Sequence, residues 1–248
     1  QGLRVVRPCS AEPDVKKGSC AVEAVAWSHD GTLLAASIWR GVGRVELSVF
    51  NAEDPHELVW SQEYERPIVS LAWAPAGSSF LAAAGGDKDG FVRIIDAQKH
   101  KEPPRCIELR EVYGVAWGRS DMLACASAEK TLRVMRIALP MSEPEIVCEK
   151  VDAHEAAIRC VDWCHASVGA ERLATGSSDR TVAVWEVCGG ELRELWRQVC
   201  GASVESLSCS PAGPLIGLGL RDGSAVIMNA ADIDSSPPQC WQLHDLGP

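Results

Sequence analysis

An apolar tripeptide recurs along the 248-residue chain at a nearly constant interval. It reads Val25–Trp27, Leu71–Trp73, Val115–Trp117 and Val161–Trp163, with a weaker copy at Leu207–Cys209. The steps between the last residues of successive copies are 46, 44, 46 and 46 residues. Self-similarity with a period of about 20–50 residues indicates a fold built from stacked supersecondary units. The repeat therefore predicts one architecture for most of the chain.

Each period contains four short apolar runs separated by Gly, Pro, Asp, Asn or Ser. In the fourth period the runs are Ile158–Trp163, Leu173–Ser177, Val182–Trp185 and Leu192–Trp196. Runs of this length, rich in Val, Ile, Leu and aromatic residues, are typical of strands. The pattern predicts units of four antiparallel strands at 21–66, 67–110, 111–156, 157–202 and 203–248, after a lead segment at 1–20.

The period and the four-strand unit resemble those of the WD-repeat β-propeller family, most clearly in the fourth unit. Ala153–His154 stands where the family has Gly-His, and Leu173–Asp179 matches the family's second strand and the turn after it. The run Val182–Glu186 ends in Trp-Glu, where the family has Trp-Asp. The resemblance covers about 21–248. It implies an all-β fold, a β-propeller of four-stranded antiparallel blades.

The number of blades is open from the sequence. Five repeats are readable, whereas the family usually has seven, which would need about 300 residues. We favour a seven-bladed ring that is only partly readable here, and a closed five-bladed ring is the alternative. Leu3–Arg7 is a candidate closing strand. An open array would expose an unpaired apolar edge, which a partner chain would cover.

The resemblance implies a hydrogen-bonded structural tetrad in the fourth unit. Its members are His154, Thr175 or Ser177, Asp179 and Trp185. Buried polar groups of these types are tolerated when they satisfy one another, so the expected role is to stiffen the blade. We interpret this set as structural and not as a hydrolase triad.

Composition narrows the classes of function. Subtracting 34 acidic residues from 24 basic ones gives a net charge of -10, which argues against direct binding of nucleic acid or an anionic membrane. The sequence has eleven cysteines but no CxxC motif, which favours reduced thiols in an intracellular protein, cytoplasmic or nuclear. Cys160 and Cys164 lie near His154 and His165, but about 13 Å of strand separates the two thiols. We therefore expect no metal, no cofactor and no small-molecule substrate.

These observations favour a non-catalytic interaction scaffold or adaptor that binds a peptide or a subunit of a larger complex through rim loops. The alternatives are a propeller enzyme with a site in the central channel and an adaptor in a nucleic-acid-processing complex. Three candidate partner-binding residues fall on a Gly-containing insertion and three lie just before or on inner strands. They are Trp39, Arg40 and Arg44, and Arg66, Tyr113 and Arg159.

Two phrases are similar to particular branches of the family. His154–Cys164 is similar to a unit of checkpoint and mRNA-export WD adaptors. Val112–Val115 is similar to phrases in the peroxisomal targeting-signal receptor.

The other units lack parts of the tetrad, so their blades must rely on apolar packing. We expect units one and three to be less rigid, and amide hydrogen exchange to be slowest in unit four. Exchange followed by mass spectrometry checks this, and equal protection in all units would contradict it.

Overall fold

The computed structural model describes residues 21–41, 43–54, 57–75, 77–86, 90–119, 121–138, 143–164 and 171–230, together with the backbone of 239–243. The lead segment 1–20, its candidate closing strand Leu3–Arg7 and His165 lie outside these residues. Within them the regular structure is made of strands.

Twenty strands form five sheets of four. Blade 1 contains β1 (Ala21–Trp27), β2 (Leu33–Trp39), β3 (Val45–Asn51) and β4 (Leu58–Tyr64). Blade 2 contains β5 (Ser70–Trp73), β6 (Phe80–Ala84), β7 (Phe91–Asp96) and β8 (Arg105–Glu108). Blade 3 contains β9 (Val112–Trp117), β10 (Met122–Ser127), β11 (Leu132–Arg136) and β12 (Glu145–Lys150). Blade 4 contains β13 (Ile158–Cys164), β14 (Glu171–Ser177), β15 (Thr181–Cys188) and β16 (Glu191–Val199). Blade 5 contains β17 (Val204–Cys209), β18 (Leu215–Leu220), β19 (Ala225–Asn229) and β20 (Gln239–Leu243).

Every blade is an antiparallel meander in which each strand pairs with the next one along the chain. The first strand of each blade lies innermost, because β1, β5, β9, β13 and β17 together line a central cavity. The all-β, four-stranded propeller predicted from the sequence is confirmed.

Apolar side chains of neighbouring blades form the core. In blades 2 and 4 the tryptophan that ends the inner strand packs against the preceding blade and donates its indole N–H to a backbone carbonyl there. Trp73 Nε1 lies 3.0 Å from Ala26 O, and Trp163 Nε1 lies 3.0 Å from Ala116 O. Because a blade has two apolar faces, burying them requires a neighbour on each side.

The blades are joined in series. The inner strands make close contact in the pairs β1–β5, β5–β9, β9–β13 and β13–β17. Among the described residues, β17 and β1 do not make contact of that extent. In this part of the chain the series therefore has two end faces, one on blade 1 and one on blade 5.

Gly118, directly after β9, allows blades 3 and 4 to approach closely. A Cβ atom there would lie 2.6 Å from Cε2 of the Trp163 indole, which is buried and rigid. We expect Gly118→Ala to lower the free energy of unfolding by about 1–3 kcal/mol, since overpacking strains a core.

Gly213→Ala is the matched control, because a Cβ at Gly213 would meet no atom within 4 Å. Its effect should stay within about 0.5 kcal/mol in urea-induced unfolding. Equal stability of the two variants would contradict the close approach.

Candidate partner-binding site

Four of the five inner strands carry a β-bulge at the same place. In β1 the pairing with β2 skips one residue between Val22 and Ala24, so Glu23 is left unpaired. The same irregularity leaves out Tyr113, Arg159 and Glu205 in the inner strands of blades 3, 4 and 5. A bulge bends the strand and re-aims the extra side chain.

Val69 stands at the equivalent place in blade 2, immediately before β5. Each of these five residues lies four positions before the last residue of the recurring tripeptide, one from each blade. All five line a central cavity of about 510 Å³. We call this set the bulge ring: Glu23, Val69, Tyr113, Arg159 and Glu205.

Tyr113 and Arg159 meet across the boundary between blades 3 and 4. The guanidinium carbon of Arg159 lies 4.5 Å from the centroid of the Tyr113 ring, within the range of a cation–π contact. Arg159 Nε also donates a hydrogen bond of 2.9 Å to Ser178 Oγ. The two contacts fix the guanidinium, while both side chains remain only partly buried.

A fourth charged residue of the cavity joins blades 4 and 5. Asp162 Oδ2 accepts a hydrogen bond of 2.8 Å from the backbone N–H of Cys209, and Asp162 Oδ1 accepts one of 2.8 Å from Trp163 N–H. With Glu23 and Glu205, the lining presents three carboxylates against one guanidinium. The cavity therefore has an acidic balance.

The other predicted partner-binding residues lie elsewhere. Trp39 is the last residue of β2 and is partly buried against the apolar cluster between blades 1 and 2, so its placement on a loop is wrong. The strand extends this far because Trp39 pairs with Val45.

The three other arginines predicted to bind a partner, Arg40, Arg44 and Arg66, are not among the residues that line the cavity. The insertion is a tight turn, in which Arg40 N–H donates to Arg44 O at 2.9 Å and the Arg40 guanidinium pairs with Glu46. Arg44 is largely exposed, 3.9 Å from Glu63, and Arg66 is exposed.

The tetrad residues of blade 4 form a connected chain. Trp185 Nε1 donates to Thr175 Oγ1 at 2.8 Å, and Thr175 Oγ1 lies 2.8 Å from His154 Nε2. His154 Nδ1 lies 3.1 Å from Asp179 Oδ2. The Asp179 carboxylate favours the tautomer that carries the proton on Nδ1, in which Thr175 donates to Nε2. Ser177 is not in the chain, because its hydroxyl donates to Ala157 O at 2.9 Å.

Two residues that the sequence analysis did not predict, Thr181 and Arg197, extend this network. Thr181 Oγ1 donates to Asp179 Oδ1 at 2.6 Å. Arg197, on β16, donates to Thr181 Oγ1 at 3.0 Å and to Ala153 O at 2.7 Å, and its guanidinium lies 5.6 Å from the Trp185 ring. The network thus ties the outer three strands of blade 4, β14 to β16, to the segment that precedes the blade.

Burial lowers the pKa of His154 to about 4, and the positive charge of Arg197 acts in the same direction, although Asp179 opposes both. Burial alone would raise the pKa of Asp179, but hydrogen bonds from Thr181 and from Glu155 N–H hold it below its usual value. His154 is therefore neutral and Asp179 ionised at neutral pH.

The low pKa of His154 makes blade 4 sensitive to acid. Between pH 6.5 and about 4 the unfolded chain binds a proton at this residue and the folded chain does not. The contribution of neutral His154 to the free energy of unfolding is therefore complete above pH 6.5. It decreases by about 3 kcal/mol as the pH falls from 6.5 to about 4.

The measurement is urea-induced unfolding at a series of pH values, with His154→Gln as the control. The difference in unfolding free energy between wild type and variant should shrink as the pH falls from 6.5 to 4. Parallel pH curves would show that His154 is not the group responsible.

Over the parts of the chain that the structure describes, no group of three or more His, Cys, Asp or Glu side chains is placed to hold a metal ion. No helix in those parts is long and apolar enough to cross a membrane.

Comparison with known proteins agrees with the geometry. The family description "WD domain, G-beta repeat" matches residues 146–186, which include the tetrad residues His154 to Trp185. The WD repeat-containing protein slp1 of Schizosaccharomyces pombe is 26% identical over 193 residues, covering 78% of this chain and 37% of that protein. The Poly(A)+ RNA export protein of the same yeast is 30% identical over 139 residues, covering 51% of this chain and 35% of that protein.

A solved structure shows the same fold. A chain of the crystal structure of the Mitotic Checkpoint Complex superposes with a TM-score of 0.69 at 22% identity, covering 93% of this chain and 70% of that one. The chain thus spans just over a third of the length of the two yeast relatives. The chain is thus a β-propeller of five four-stranded blades, and residues 146–186 match the WD repeat.

Proposed function

We propose that the protein is a non-catalytic intracellular adaptor that binds a segment of a partner protein at the bulge ring. The observation that carries the proposal is the repeated bulge, which directs Glu23, Tyr113, Arg159 and Glu205 from four blades towards one cavity. A backbone irregularity repeated at one place re-aims side chains for a common purpose.

The chemistry of the ring suits a peptide. Tyr and Arg are the residue types enriched where binding energy concentrates, and Arg159 is already held by Tyr113 and Ser178. A side chain that is fixed before binding loses less conformational entropy on binding. The exposed carboxylates of Glu23 and Glu205 favour a partner segment that carries basic side chains.

The relatives support a role in protein assemblies. A protein named for poly(A)+ RNA export is similar in sequence, and a chain of the Mitotic Checkpoint Complex, which by its name is a complex, has this fold. Buried or partly buried cysteines such as Cys125, Cys148 and Cys160 are free thiols, which favours a reducing compartment.

The cavity favours binding a protein over the two alternatives. Both carboxylate oxygens of Asp162 accept backbone N–H groups, so this carboxylate is engaged in structure and not held ready as a base. The acidic balance of the lining would repel the phosphates of nucleic acid.

Arg159→Ala and Tyr113→Ala test the proposal. Each should weaken partner binding about 10- to 100-fold, because an anchor of the interface is truncated. The partner is identified by affinity purification with quantitative mass spectrometry, and its affinity for each variant is then measured by calorimetry with purified components.

Arg44→Ala is the matched control, since Arg44 is an exposed arginine outside the cavity lining. It should bind as the wild type does, and all three variants should keep the wild-type melting temperature. Equal losses for Arg44→Ala and Arg159→Ala, or full binding by Arg159→Ala, would refute the role of the ring.

A further inference from the structure

Two thiols meet at the junction between blades 4 and 5. Cys164 is the last residue of β13 and Cys209 is the last residue of β17, the inner strands of the two blades. Their Sγ atoms lie 2.9 Å apart. A disulfide bond needs the two sulfur atoms about 2.0 Å apart, so a shift of about 1 Å would bring this pair to bonding distance.

Cys209 takes a position that the other four blades give to tryptophan. It is the last residue of the recurring tripeptide, and its counterpart in blade 4 is Trp163. Trp163 Nε1 donates to the carbonyl of Ala116 in the preceding blade. The equivalent carbonyl for Cys209 is that of Asp162, which lies 4.0 Å from Cys209 Sγ. The thiol is therefore directed to the place that an indole takes at the preceding junction, but it is much smaller than an indole.

Cys164 occupies space that the smaller Cys209 side chain leaves. Its counterpart in blade 3 is Gly118, where a Cβ atom would lie 2.6 Å from the Trp163 indole. A glycine beside a tryptophan at one junction is thus replaced by two cysteines at the next. Of the four junctions between the described blades, this is the one with cysteines at both positions. The corresponding pairs at the first two junctions are Ser28 with Trp73 and Ala74 with Trp117.

The backbone around the two thiols is already held in place. Asp162 Oδ2, on β13, accepts a hydrogen bond of 2.8 Å from Cys209 N–H on β17. Both cysteines also pack in the apolar cluster between the two blades, where Cys209 is 7% exposed and Cys164 is partly buried. A bond between the two sulfur atoms can therefore form while the sheets keep their contact.

The two thiols differ in accessibility and in proton affinity. The hydrogen bond to Cys164 raises the pKa of the Cys209 thiol, and burial acts in the same direction. Cys209 therefore stays protonated at neutral pH, whereas Cys164 is the more accessible of the two residues. A small oxidant reaches Cys164 first, and Cys209 lies in position to react with the product.

We infer that Cys164 and Cys209 are a modification site, at which hydrogen peroxide forms a reversible disulfide between the inner strands of blades 4 and 5. Cys164 Sγ attacks one peroxide oxygen and becomes a sulfenic acid, and the other oxygen leaves as water with the thiol proton. Cys209 Sγ then displaces the sulfenic hydroxyl, which leaves as water with the Cys209 proton. Two thiols are oxidised to one disulfide, and one peroxide is reduced to two waters.

The disulfide changes the contact between blades 4 and 5 from packing to a covalent link. It joins residues that are 45 positions apart, which restricts the unfolded chain and so stabilises the folded one. The link forms when peroxide rises and is lost when thiol reductants return the pair to thiols. It does not depend on what the bulge ring binds.

The first experiment uses the purified full chain without substitution, at low protein concentration. The chain is treated with hydrogen peroxide and quenched with acid, the remaining thiols are alkylated, and tryptic peptides are analysed by mass spectrometry. Peptides 160–172 and 198–221 should be joined, and dithiothreitol should release them. Fragment ions should place the bond on Cys164 and Cys209, and not on Cys160 or Cys200, the second cysteines of the two peptides.

A bond through any other pair of cysteines would overturn the inference. Cys164 and Cys209 that are still alkylated in chains whose exposed thiols, Cys106 and Cys188, are already oxidised would also overturn it. This experiment needs no variant, so its result stands even where a substitution prevents folding.

Cys164→Ala and Cys160→Ala are the matched variants for a second experiment. Cys160 lies on the same strand, and its Sγ is directed to Gly176 O at 3.8 Å. Oxidised wild type and Cys160→Ala should melt about 5–10 °C higher than the same samples after dithiothreitol, because the disulfide constrains the unfolded chain. Cys164→Ala should show no such difference. Equal differences in the two variants, or none in the wild type, would contradict a link between these residues.

Discussion

The structure depends on the contact between the inner strand of each blade and the sheet before it. A four-stranded sheet cannot bury both of its apolar faces, and the buried tryptophans, valines and leucines of the inner strands each gain about 1.5–3 kcal/mol from coverage. The indole hydrogen bonds of Trp73 and Trp163 fix blade 2 against blade 1 and blade 4 against blade 3. Because the inner strands are aligned in this way, their bulges come to the same level around the cavity.

The polar network of blade 4 is an addition to this packing and not its basis. In blade 3 the positions of Thr175 and Trp185 are taken by Cys125 and Met135, both buried in one apolar cluster. Burial raises the pKa of Cys125 to about 12, so this thiol stays protonated and behaves as a small apolar group. Blade 3 keeps the same four-stranded order without the network.

The repeat made the strands and their order predictable. It also led to Tyr113 and Arg159, together with Arg66, because it located the inner strands. The bulges were not predictable, since the residues at the bulge position share neither charge nor shape. The part of Arg197 in the blade 4 network was not predictable from the sequence, because this residue lies 43 residues from His154 and belongs to no family pattern.

The serial contact of the blades has a consequence for how such a molecule changes over evolutionary time. Among the described residues, the extensive contacts of each sheet are with the sheets before and after it, so its free energy is approximately a sum of nearest-neighbour terms. Duplication or deletion of one 46-residue unit alters two junctions and leaves the remaining ones as they were. Because the alanine and tryptophan surfaces of successive blades match one another, one blade can pack on another at several junctions. The number of units can therefore change while each unit keeps its own sequence pattern.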